Sequence, residues 1–141
     1  LSLLVSVETH LLDTWPRISV VSQFAAEELF RVDPASGTCD QVCDNIVIRP
    51  SEDMCCILHR LLEAPISYVE IMPPSDFREL SIRRDSAGQL RAEWHILADF
   101  LEKGVIRRSR LQTIFVPRAN DSRLAQAFCA ALKQLPLPLT A

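Results

Sequence analysis

Three glycines stand in this chain of 141 residues, at positions 37, 88 and 104, and none has another nearby. A phosphate-cradling loop needs clustered glycines whose backbone amides converge on the anion, so that class of site is excluded. A Ser-His-Asp motif and an HExxH zinc helix are likewise absent. No apolar run approaches the ~18 residues of a membrane-spanning helix, and Leu1–Val7 is too short, and lacks the basic leader, for a signal peptide. The expectation is a protein with no membrane partner. Aromatic residues make up 6% of the chain and form no platform interleaved with basic residues. With no internal repeat and no low-complexity linker, nothing divides the chain.

What is present is enough for one globular domain over residues 1–141, since 48% of the residues are hydrophobic. Charge is uneven: residues 1–76 carry four Arg against twelve Asp or Glu, whereas residues 77–141 carry eleven basic and six acidic residues. Such asymmetry is a feature of nucleic-acid surfaces. Here, however, Arg83, Arg84 and Arg91 gather near one predicted turn and Arg107, Arg108 and Arg110 near another, roughly 25 Å away in an extended chain. A split patch predicts no nucleic-acid partner. Five cysteines, an odd number in a chain that needs no staples, predict reduced thiols and a cytoplasmic location.

The strongest pattern runs from 78 to 117. Leu90, Ala92, Trp94, Ile96, Ala98 and Phe100 alternate with a mostly polar set, the period of a half-buried strand. Gly88 supplies the left-handed residue that ends a three-residue loop, Ser86-Ala87-Gly88, and this register sets Leu80 opposite Trp94, Ile82 opposite Ala92 and Glu79 opposite His95. A second turn at Lys103-Gly104 with an even loop sets Ile96 opposite Leu111, Ala92 opposite Phe115 and Asp99 opposite Arg108. The predicted meander has an apolar face (Leu80, Ile82, Trp94, Ile96, Leu111, Phe115) and a polar one carrying Glu79, Ser81, Arg83, Glu93, His95, Asp99, Arg108, Arg110 and Gln112.

Elsewhere, residues 1–9, Asn45–Arg49 and Ile66–Met72 read as strands, the last two halted by prolines. Helical spacing through Val21, Phe24, Ala25, Leu29 and Val32 predicts a helix over 20–31, against a strand alternation through Ile18, Val20, Ser22 and Phe24. Ser51-Glu52-Asp53 reads as the capped start of a helix over 52–63, with a buried strand as the alternative for Met54–Leu58. Asn120-Asp121-Ser122 caps a final helix over 121–135, striped by Leu124, Phe128, Leu132 and Leu135 and stopped by Pro136 and Pro138. The predicted fold class is α+β, a twisted antiparallel sheet packed against the C-terminal amphipathic helix. A mostly-β barrel with one helix is the alternative.

Chemistry is sparse. Cys39, Cys43, Cys55 and Cys56 with His59 lack the paired knuckle spacing of a zinc site, so neither metal nor cofactor is expected. Cys55 and His59 share one side of a helix or strand, but nothing in their spacing orients a base. His95 opposite Glu79 is the one pair that resembles an oriented general base, and Glu79, Ser81, Glu93, His95, Arg110 and Gln112 form the candidate ligand-binding face. Ordinary cross-strand pairing on a solvated face explains the same residues. The functional expectation is a non-catalytic domain that recognises another protein or itself, with exposed strand edges at 1–9 or 66–72. Two alternatives stand beside it: a carrier of an apolar small molecule in a sheet–helix cavity, and an enzyme using His95 with Glu79.

Overall fold

The computed structural model describes residues 1–97 and 100–135. Ten strands and one helix follow in order: β1 (Ser2–Glu8), β2 (Ile18–Phe24), β3 (Ala26–Val32), β4 (Cys39–Gln41), β5 (Ile46–Ile48), β6 (Cys55–Leu61), β7 (Ile66–Met72), β8 (Glu79–Arg84), β9 (Leu90–Leu97), β10 (Ile106–Pro117) and α1 (Asp121–Gln134). The strands form two antiparallel sheets, one in the order β1-β10-β7-β6-β3-β4 and one in the order β2-β9-β8-β5. Neither closes on itself, so the fold is α+β rather than a barrel. No helix among the described residues is long and apolar enough to cross a membrane.

Three layers result, because the six-stranded sheet is covered on both faces. Along β6 and β7 successive residues alternate between two cores. Cys55, Ile57 and Met72 join Leu80, Ile82, Ala92, Trp94 and Phe77 between the sheets. Cys56, Leu58, Val69 and Ile71 face Ala125, Cys129 and Leu132 of α1. A strand buried on both faces loses its polar parity and reads as a continuous apolar run. That corrects the helix expected over 52–63, whose apolar stretch is β6. The helix expected over 20–31 is also two strands, β2 and β3. The chain leaves one sheet at Phe24 and enters the other at Ala26; of the residues at helical spacing Phe24, Leu29 and Val32 face the cores, whereas Val21 and Ala25 are exposed.

The Gly88 hairpin forms in the expected register, with Glu79 opposite His95, Leu80 opposite Trp94 and Ile82 opposite Ala92. Gly88 takes φ +80°, and Asp85 Oδ1 accepts from the backbone amides of Ala87 and Gln89, each at 2.9 Å. The second hairpin does not form. β10 crosses to the other sheet, where it pairs with β7 and β1, so Leu111 stands opposite Leu3, Phe115 opposite Tyr68 and Arg108 opposite Ser6. Asp99, the expected partner of Arg108, and Ala98 lie outside the described residues, as do Pro136 and Pro138. Matching parity required apolar partners but did not say in which sheet; Ile96 and Leu111 are both buried in the core between the sheets. Phe115, expected in the core, is 63% exposed.

On α1 the buried residues are Asp121, Ala125, Cys129 and Leu132, a stripe rotated from the expected one, with Leu124 and Leu135 exposed. Asp121 sets the rotation. Its carboxylate accepts from Arg60 Nε of β6 at 2.9 Å and from Ser67 Oγ of β7 at 2.8 Å, which ties the first turn to the sheet. Burial alone would raise the Asp121 carboxyl; Arg60, Ser67 and the Ser122 amide outweigh it and hold it below the usual range.

Candidate functional site

The expected polar face divides between the sheets. Glu79, Ser81, Glu93 and His95 do line the outer, solvated face of the four-stranded sheet, around a shallow depression of about 220 Å³. Within it Ser19 Oγ donates to Glu93 Oε1 at 3.0 Å and Arg91 Nη2 to Glu93 Oε2 at 3.3 Å, which lowers the Glu93 carboxyl, Ser19 contributing most. Among the described residues no side-chain hydrogen bond joins Glu79 to His95, which stand opposite each other in the β8–β9 register. Arg110 and Gln112 belong to β10 in the other sheet. Arg110 is buried, its backbone amide bonded to Asp76 Oδ2 at 2.8 Å, and Gln112 donates to Ser2 Oγ at 2.7 Å. Neither joins His95.

Cysteine chemistry fares no better. In extended β6, Cys55 and His59 are separated by four residues, about 13 Å along the strand, beyond any nucleophile–base contact. Burial pushes the Cys55 thiol up to about 12, away from the thiolate. Among the described residues no group of three or more His, Cys, Asp or Glu side chains converges as a metal site.

The most unusual chemistry lies between the sheets, at residues not selected from the sequence. Glu70 of β7 is fully buried. Its carboxylate accepts from the Ser22 hydroxyl of β2 and from Trp94 Nε1 of β9 at 3.1 Å, and His59 Nε2 of β6 lies 3.4 Å from the same oxygen as the indole. Burial by itself would raise the Glu70 carboxyl, but His59, Ser22 and Trp94 together bring it below the ordinary value. Four strands from both sheets therefore converge on one carboxylate. The sequence did hold a signal: in Ile66-Ser-Tyr-Val-Glu-Ile-Met72 both parities near Glu70 are apolar, so an acid there has no polar face to occupy.

This cluster is the floor of a cleft. An opening of about 430 Å³ separates β2 from β10, lined by Ser22, Phe24, Tyr68, Thr113 and Phe115, with Leu1 at the rim. Tyr68 stacks edge-on with Phe24 at 4.9 Å and tilted against Phe115 at 5.1 Å between ring centres. Its hydroxyl is pushed up first by burial and then by the charge of Glu70, while Ser22 and Thr113 pull it back. Ser22 gives its proton to a carboxylate with no imidazole between them, so the order of a hydrolytic triad is missing.

The four sheet edges differ sharply. β4 and β5 are three residues each, and short edges resist strand addition. β1 and β2 are seven residues each, free of proline, and uncharged over Ser2–Val7 and Ile18–Phe24. Among the described residues β1 pairs only with β10 and β2 only with β9, so each leaves one row of amides and carbonyls unpaired. Of the two edges expected from sequence, 1–9 is an edge and 66–72 is central, between β10 and β6. β2 lines the aromatic cleft, and Leu1, just before β1, stands at its rim.

The chain matches no family model, and neither the curated proteins nor the solved structures compared with it yield a match.

Proposed function

We propose that this protein is a non-catalytic recognition domain that takes an extended segment of another protein as an added strand on its β1–β2 side. One observation carries this reading: the two long edges are both uncharged and unguarded, whereas the opposite edges are cut to three residues. Natural sheets blunt such edges with lysine, proline, bulges or brevity unless pairing is the purpose. β2 has only a register irregularity between Ile18 and Ser19, and Val21, in mid-strand, is 41% exposed. Peptides selected on the folded chain from a random library test it. Binders should be extended sequences, and Val21→Lys should weaken them about ten-fold by placing a charge on the edge. Selected peptides indifferent to both Val21→Lys and Leu4→Lys would contradict it.

The competing readings have less support. The layer between sheet and α1 is filled by Cys56, Leu58, Val69, Ile71, Ala125 and Cys129, each 0% exposed, which leaves no room there for an apolar cargo. His95 stands opposite Glu79 on an open face without the bond a general base requires.

A further inference from the structure

We infer that the cleft between β2 and β10 is a binding site for an alkylated ammonium ion, with Phe24, Tyr68 and Phe115 as its walls and the Glu70 carboxylate as its counter-charge. This goes beyond strand addition and stands apart from it.

The geometry supplies the two parts such a ligand needs. Aromatic faces carry a negative quadrupole that attracts cations, most effectively ones clad in methyl groups whose hydration is weak. Tyr68 is in contact with both Phe24 and Phe115, so three rings present a continuous aromatic lining to a space of about 430 Å³. No lining side chain is charged; the Leu1 α-ammonium at the rim donates to the Thr113 carbonyl at 2.7 Å. Behind the lining, one hydrogen bond deep, sits Glu70, tied to the wall through the Ser22 hydroxyl. Ser22 on one oxygen and Trp94 on the other are neutral donors; His59 Nε2, the ionisable partner, lies 3.4 Å from the oxygen that Trp94 holds and away from the one that Ser22 ties to the wall. Thr113, opposite Glu70 in the β7–β10 register, also faces the cleft. Burial first, and then the charge of Glu70, pushes the Tyr68 hydroxyl up. Buried charge at such a depth acts with little screening by salt.

A quaternary headgroup can come from a free small cation or from a trimethylated lysine side chain of a protein; the same walls recognise both. The test is an NMR titration of the full chain with choline, with N-acetyl-trimethyllysine amide, and with 3,3-dimethylbutan-1-ol, the neutral isostere of choline. Saturable shifts are expected at Ser22, Phe24, Thr113 and Phe115 with at least one of the two cations, and about ten-fold weaker binding of the alcohol. Preference for choline identifies a free cation, and preference for the lysine derivative identifies a modified protein. Phe115→Leu, at a largely exposed position that leaves the core intact, should reduce cation affinity about ten-fold while the alcohol changes less. Equal binding of choline and the alcohol, or no saturable shift with either cation through the millimolar range, overturns the inference.

Discussion

Ser22 donates its hydroxyl to Glu70 across the space between the two sheets, joining an edge strand of one to a central strand of the other. With Trp94 and His59 on the second oxygen, this makes Glu70 the one acid held in common by β2, β6, β7 and β9. A fully buried carboxylate is tolerated only with such partners, and removing the acid takes the acceptor from Trp94 Nε1 and Ser22.

Glu70→Ala should therefore cost about 3–5 kcal/mol of stability, because it leaves Trp94 Nε1 buried without an acceptor and takes from His59 its buried ion-pair partner. Glu70→Gln keeps an acceptor oxygen of the same reach and should cost less, roughly 1–3 kcal/mol. Urea unfolding followed by Trp94 fluorescence measures both. A neutral Glu70→Ala would mean the cluster is not closed.

Acid should unfold the protein through the same groups. Glu70 and Asp121 both sit below their ordinary values when folded. A carboxyl depressed by folding stabilises the native state above its unfolded pKa, and that contribution is lost as pH falls through the folded one. Stability should thus be level from neutral pH to about 5 and decline below about 4. Asp121→Asn should flatten part of this decline. Stability that rises on acidification would contradict the assignment of these two carboxylates.

The outer face of the four-stranded sheet should be indifferent to substitution. His95→Ala should change stability by less than ~0.5 kcal/mol, since its side chain bonds neither Glu79 nor another described residue through an oriented hydrogen bond. Thermal unfolding of the variant checks this, and a loss above ~1 kcal/mol would place His95 in a network.

What was legible in the sequence followed from local rules. Gly88 and Asp85 determine a hairpin within six residues of one another, and Leu80–Trp94 pairing follows without reference to the rest of the chain. The step from β9 to β10 has no such local determinant. Leu111 satisfies its apolar parity as well by entering the inter-sheet core from the other sheet as by pairing beside Ile96, so hydrophobic pattern alone cannot choose. β6 concealed itself differently: with α1 on one side and a sheet on the other, Cys55–Leu58 has no polar residues to mark a period of two. Of the three partners of Glu70, His59 lies on the adjacent strand, but Ser22 and Trp94 come from the other sheet and become its neighbours only in the sandwich.

Thiol labelling separates the three layers. Cys43 is exposed and Cys39 half-buried, whereas Cys55, Cys56 and Cys129 are buried in the two cores. Cys43 should react first under native conditions, and the three buried thiols only at the rate of unfolding. Rapid native labelling of Cys129 would show that α1 leaves the sheet.

The central claim, that β1 and β2 form the recognition side, is tested most directly by amide hydrogen exchange residue by residue. In the free chain every second amide of Ser2–Glu8 and Ile18–Phe24 should exchange fast, while β7 and β9 stay protected. With a selected extended peptide bound, those edge amides should slow on at least one of the two strands. Slowed exchange confined to the outer face around His95, or to α1, with both edges unchanged, would contradict the account.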